Sequence, residues 1–187
     1  MKSEEKVKIF EKELNYIKDE KIKKVVEQIL KEVPDYFFSV AASSTGKYHP
    51  KMSLGEGGLV RHTKAAVQVA TDLMTLEMFL PLSDYFDYVI GCLILHDCLK
   101  HGNPQEQYTR ADHPVLMSDF IKSFKQENDI SNPILDRLSQ GILTHMGQWN
   151  TDYKTKREIM PKPSTKFQNL VHLCDYIASR KYIEMEF

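Results

Sequence analysis

Four histidines and two aspartates in this chain have the types and the spacing to hold a metal ion. His62 lies in GGLVRHT, His96 and Asp97 are adjacent in LILHDCLK, His113 falls in ADHP, His145 in ILTHMG and Asp175 in LVHLCDYIASRK. Neutral imidazole and carboxylate are the usual ligands of divalent ions such as Mn, Fe, Co, Ni and Zn. A carboxylate at the end of an apolar run like LILHD is costly to bury as an isolated ion, and a bound cation removes that cost. Such an ion also lowers the pKa of a coordinated water and withdraws charge from a phosphoryl oxygen. Asp97, next to His96, could bridge two ions. Lys100, about one turn beyond Asp97, could hold a substrate phosphate or stabilise developing negative charge. Lys47, His49, Lys51 and Arg61, with Tyr108 and Arg110 further on, are candidate contacts forming a basic rim for an anionic substrate.

Five of the six candidate ligands fall on or next to a helix end or an apolar helical run, so several helices could bring them to one interior point. From Glu4 to Val33 the apolar residues recur at mostly three- and four-residue steps, the stripe of one helix or of two broken near Lys18–Glu20. Pro34 closes it. Asp35 to Ala42 reads as one short helix, followed by a long loop containing Gly46, Gly55, Gly57 and Gly58. Helices are expected over Leu59–Phe79, stopped at Pro81, and over the strongly apolar Tyr85–Leu99. A polar loop, His101–Asp112, precedes further helices over Pro114–Lys125, Pro133–Met146 and Ser164–Glu184. No segment alternates long enough to predict a sheet. The fold class is therefore an all-α helical bundle. Met74, Met78, Phe79, Tyr85 and Tyr88 read as core, and His101 as solvated.

At 187 residues, 42% hydrophobic and 27% charged, the chain suits one domain with a buried core. A net charge of −1 gives no support to a nucleic-acid coat or a membrane-surface role. The N-terminal stretch alternates charge and lacks the apolar segment of a signal peptide, and the longest apolar run, Tyr88–Leu95, suits a core helix. Cys92, Cys98 and Cys174 form no CxxC pair and read as buried thiols of a reducing compartment, so cytoplasm is the expected location.

The ordered set His62, His96–Asp97, Asp175 resembles the HD superfamily of metal-dependent phosphohydrolases. Two flanking signatures strengthen it: GEGGLVRHT is similar to the glycine-rich lead-in of HD domains in some exoribonucleases and nucleotide phosphohydrolases, and Lys100 stands at the lysine of the HDxxK pattern. The likeness spans Gly55 to Lys181. His113 and His145 extend it to the dinuclear branch. The resemblance then implies that His62, His96, Asp97 and Asp175 hold one ion, and that Asp97 bridges to a second completed by His113 and His145. It implies a helical bundle of the HD type over residues 35–187, with 1–34 as an N-terminal helical segment packing on it. The chain has Met146-Gly147 after His145, where cyclic-dinucleotide phosphodiesterases carry paired histidines and a GYP segment, which speaks against that substrate.

The implied activity is hydrolysis of a phosphoester or phosphoanhydride in a nucleotide, or at a nucleic-acid end, by a metal-activated water, with Asp97 and Lys100 as catalytic residues. The partner would be a small phosphorylated substrate, not a membrane. The same ligands are also used by HD-fold diiron oxygenases, and a third reading is an HD fold kept as a non-catalytic binding module. A helix-end histidine is commonly a cap or a satisfied core residue, so the metal reading rests on the set and not on His113 or His145 singly. His172, three residues before Asp175, shares its helical face and could brace a ligand.

Overall fold

Burial of the N-terminal stripe begins with helix α1 (Ser3–Ile9) and a single turn, α2 (Glu11–Leu14), and continues in α3 (Glu20–Glu32). This computed structural model describes residues 1–43, 46, 49–127, 129 and 131–181. The stripe breaks before Glu20, as the two-helix reading expects, and also at Phe10, which no spacing signalled. Asp19 caps α3, its side chain accepting from the amides of Lys21 and Ile22, while Asp87 accepts from the amides of Lys18 and Asp19 and pins the connector. Two lysines tie the N-terminal helices to the rest. Lys6 Nζ donates to the Val33 carbonyl at 2.6 Å, and Lys64 Nζ donates to Ile9 O at 2.6 Å and to buried Glu13 at 3.1 Å.

Where one short helix was expected over Asp35–Ala42, a 3-10 turn spans Asp35–Phe38, and the chain then runs on to a second 3-10 turn, Lys51–Ser53. Helix α4 (Gly58–Leu73) follows. Its entry is closed by main-chain bonds, Leu59 N to Val40 O and Ala42 N to Ser53 O. A side chain at Gly58 would put its Cβ 2.2 Å from the Ser53 carbonyl oxygen, so only glycine allows this approach. Gly57, in the left-handed region at φ 68°, makes the turn into the helix.

Helix α4 is shorter than its apolar pattern predicts. It stops at Leu73, and Glu77–Tyr85, with Pro81 inside, winds as a 3-10 helix. That change of winding turns Met78 outward (74% exposed), correcting its reading as core; Met74, Phe79, Tyr85 and Tyr88 are partly buried against the core.

Helix α5 (Phe86–Leu95) is apolar on all sides and buried from Val89 onward, as the central helix of a bundle must be. It also ends earlier than the Leu99 boundary expected. The continuous helical stretch Glu77–Leu95, mean hydropathy 1.4, is the one described helix long and apolar enough by composition to cross a bilayer, and its second half is core. Around α5 pack α3, α4, α7 (Asn132–Leu143) and α8 (Lys166–Ala178), with α6 (His113–Lys122) laid along α7. Gly141 of α7 lets Cys92 and Phe167 close in, where a Cβ would meet Cys92 Sγ at 2.6 Å. Ser118 and Ser139 share a hydrogen bond of 2.7 Å across α6 and α7. Pro114 and Pro133 sit in first turns, and a Thr165–Gln168 capping box starts α8. Helix α8 ends at Ala178 rather than Glu184, and residues 182–184 lie outside the described residues. One hydrophobic cluster runs from Phe10 to Ala178. Among the described residues the fold is an all-α bundle without strands, apart from a lone bridge between Thr151 and Glu158.

Candidate metal centre

The early end of α5 shapes the site. After Leu95 the chain passes into tight turns, Cys98 N to Leu95 O and Lys100 N to Asp97 O, which carry His96, Asp97 and Lys100 inward together. His145 follows the end of α7 in the same manner, and His113 is the first residue of α6. His62 lies on α4, one turn in from Gly58, and Asp175 in α8. The four imidazoles and Asp97 are buried, and Asp175 is partly buried.

Three of the rings are oriented by the backbone. The Nδ1–H groups of His96, His113 and His145 donate to the carbonyls of Leu93, Arg110 and Ile142, each at 2.7 Å. A carbonyl can only accept, so in the neutral rings the proton is on Nδ1 and Nε2 presents a lone pair. Those lone pairs converge. In one triad His62 Nε2 lies 3.0 Å from Asp175 Oδ1 and 3.4 Å from His96 Nε2, and His96 Nε2 lies 3.5 Å from Asp175 Oδ1. In the other, His113 Nε2 is 3.0 Å from Asp97 Oδ1 and 3.1 Å from His145 Nε2, with His145 Nε2 3.7 Å from Asp97 Oδ1. The second carboxylate oxygen, Asp97 Oδ2, faces the first triad at 3.4 Å from His96 Nε2 and 3.7 Å from His62 Nε2.

These spacings fit a bound cation. Ligand atoms about 2.1 Å from one ion stand about 3.0 Å apart at right angles and about 3.4 Å apart at the tetrahedral angle. The Nε2 atoms of His113 and His145 face each other at 3.1 Å with both Nδ1 protons committed to carbonyls, so no neutral hydrogen bond joins them. A positive charge between them turns that repulsion into attraction. Imidazole and carboxylate donors suit several divalent transition ions, and the two groups could hold one ion each with Asp97 between them.

The electrostatics point the same way. Burial opposes ionisation of Asp97, but Lys100, His96 and the hydrogen bonds of His113 and His145 outweigh it and hold the carboxyl well below its ordinary range. Asp175 is likewise held well down, burial being overcome by hydrogen bonds with His62 and His96. Burial pulls His145 down to about 4 and His62 below its usual value. His96 goes the other way, to about 10, because Asp97 and Asp175 outweigh its burial. Lys100 places a positive charge beside the centre, its Nζ 2.5 Å from Asp97 Oδ2.

A cavity of about 450 Å³ opens on this centre, with Asp97, Lys100, His113, His145 and Asp175 among its walls. The rim residues expected from sequence are a different matter. Arg61 does not line the cavity, because its guanidinium donates to the carbonyls of Met52, Leu54 and Glu56 and clamps the glycine-rich entry. Arg110 pairs with Glu106 and Asp112, and its own carbonyl orients His113. Tyr108 is exposed and away from the cavity walls, Lys51 is exposed in its 3-10 turn, and Lys47 lies outside the described residues.

His49 does line the cavity, its ring centroid 5.1 Å from that of His62 and its Nδ1 buried without a partner. Trp149, Tyr176 and Arg180 line it too, and no sequence signal marked them. His172 braces the centre, its Nδ1–H donating to the His145 carbonyl at 2.7 Å. Gly147, at φ 60°, makes room for that ring, since a Cβ there would lie 2.2 Å from His172 Cε1. His101 is buried, not solvated, because Tyr36 covers it with ring centroids 5.8 Å apart and its hydroxyl accepts from the His101 amide.

No family model matches the chain, and comparison with curated proteins and with solved structures also returns no match.

Proposed function

We propose that this chain is a metal-dependent phosphohydrolase of the HD type, hydrolysing a phosphoester of a nucleotide or of a nucleic-acid end. The observation that supports this best is the Asp97 carboxylate, shared between two His/Asp triads, salt-bridged to Lys100 and open to a small-molecule cavity. A divalent ion bound there would supply Lewis acidity and a water acidic enough to attack near neutral pH. Asp97 would orient a water whose oxygen bonds to phosphorus as the P–O ester bond breaks, the water's proton passing to the leaving oxygen. Lys100 holds a non-bridging phosphoryl oxygen and meets the negative charge that grows as the bond forms. The three unpaired buried thiols accord with an intracellular, reducing location.

The test is hydrolysis of bis(p-nitrophenyl) phosphate and of p-nitrophenyl phosphate by the metal-loaded protein, beside Asp97→Asn and a chelated control. Turnover by the wild type alone, in the absence of oxygen, is expected. Full activity in Asp97→Asn would overturn the reading, and oxygen consumption tied to an iron-loaded centre would transfer the same ligands to oxygenase chemistry.

A further inference from the structure

The cavity is lopsided. Asp97, Lys100 and Asp175 concentrate charge at the two triads, and an aromatic surface topped by Arg180 stands beside them. Trp149, in the turn four residues beyond His145, stacks on Tyr176 with ring centroids 5.5 Å apart and an interplanar angle of 15°. Tyr176 directly follows Asp175, so the platform is joined by one peptide bond to a candidate ligand. Arg180, one turn on, carries its guanidinium 4.2 Å from the Tyr176 centroid, its Nε donating to the Tyr176 carbonyl at 3.1 Å and its Nη2 to Ser179 Oγ. The His172 ring centroid lies 6.0 Å from that of Trp149 and its Nδ1 is bonded to the His145 carbonyl, so the platform is braced from the side of the triads. Trp149 nevertheless stays 46% exposed while lining the cavity.

A large indole that is fixed by stacking yet left half open is unusual for a core residue and suited to taking a flat ring. The volume, about 450 Å³, is in the range that encloses a small ligand and too small for more than a short stretch of polymer. Methionine 146 adds a soft, apolar wall, and Arg180 adds positive charge at the rim.

We propose that Trp149 and Tyr176 form a base subsite, so that the cavity takes a nucleoside phosphate with its base stacked on Trp149 and its phosphate towards Lys100 and the triads. The proposal rests on the phosphohydrolase reading for the phosphate end, and on the aromatic platform alone for the base end. Stacking uses the π-face that every base has, so the subsite selects for a base without discriminating strongly among bases. The selectivity it confers is against phosphates that carry no base.

Trp149 is the chain's single tryptophan, which gives a direct reading of its own site. Metal-replete protein is titrated with the non-hydrolysable phosphonate analogue of AMP, with the guanosine and thymidine counterparts, and with the base-free ribose 5-phosphonate, following tryptophan fluorescence and heat of binding. Saturable quenching by all three nucleotide analogues is expected, with none from the base-free compound. Trp149→Ala should weaken the AMP analogue roughly 5- to 150-fold, towards the affinity of the base-free compound, which is the span attached to losing one base stack. Trp149→Phe, which keeps a stacking ring, should retain most of the affinity measured by calorimetry. Equal binding of base-free and base-bearing compounds, or unchanged affinity in Trp149→Ala, would overturn the subsite. If quenching and base dependence hold while no phosphoester is ever hydrolysed, the subsite stands and the hydrolase reading falls.

Discussion

Loading the metal-stripped protein with a divalent ion should raise its melting temperature by roughly 10–20 °C, and His113→Ala should halve that gain. An ion that binds the folded state alone at one hundred times its Kd contributes about 2.7 kcal/mol per site. A chain of this size gains about 2–4 °C per kcal/mol. The halving follows from how the triads are joined. His113 Nε2 belongs to the group built on Asp97 Oδ1, whereas His62, His96, Asp175 and Asp97 Oδ2 stay in place when it is removed. His62→Ala should strike the other group and leave the second intact. The assay is scanning calorimetry with Mn, Fe(II), Co, Ni and Zn in turn, paired with metal analysis after desalting. Two ions per chain falling to one in either variant is the expected result. A melting temperature unmoved by every ion, with no metal retained, would refute the argument from converging lone pairs.

Three further outcomes follow from the same geometry. Lys100→Met should lower kcat by about 100- to 1,000-fold, as loss of one charge-stabilising donor does, with KM changed far less; an unaltered kcat would place Lys100 outside the reaction. Gly147→Ala should cost about 2–4 kcal/mol in chemical denaturation and weaken metal binding at the His145 triad, since the residue sits at φ 60° and its Cβ would strike the His172 ring that braces His145; a neutral substitution would show that the turn relaxes freely. The metal-free protein should be most stable near pH 6.5. Burial holds His145 at about 4 and His49 at about 3 against an ordinary 6.5, so below pH 6.5 the unfolded chain takes up protons the folded one refuses, and stability falls with acidification. His96, near 10, contributes its stability fully below 6.5 and loses it as the pH climbs through 10. Denaturant midpoints at pH 5, 6.5 and 9 check both arms, and a profile rising from 6.5 to 5 would contradict them.

The helical class and the ligand types were readable from sequence because each has a local cause. Apolar spacing sets the face of α3, an unbroken apolar run makes α5 a core helix, and Asp19 and Pro34 mark breaks without any tertiary information, whereas Pro81 sits inside a 3-10 helix and stops nothing. The extent of the helices was not readable where tertiary contacts override the pattern: α4 and α5 both end short of their apolar runs. The basic rim failed for a related reason. Arginine in a glycine-rich entry has two equally good uses, an anion or a set of backbone carbonyls, and Arg61 takes the carbonyls of a loop whose shape no spacing rule gives. Trp149 carried no signal because its partner, Tyr176, is on another element, and only the approach of α8 to the turn after α7 brings them together.

That approach also explains why the ends of α5 and α7 matter more than their interiors. His96, Asp97 and Lys100 would span only about 100° of arc even on a regular helix, and the turn after Leu95, closed by main-chain bonds from Cys98 and Lys100, keeps the imidazole, the carboxylate and the ammonium on one side. The turn after Leu143 does the same for His145 and then delivers Trp149 to the cavity wall. Each candidate ligand from these helices is thus fixed by a turn whose bonds are few, and its ring by a single Nδ1–H to carbonyl contact. The centre is consequently coupled to the rigidity of two helix ends. Substitutions that lengthen α7 by a turn should weaken metal binding, read by metal analysis after desalting, while leaving the helical content and the packed interior of the bundle intact.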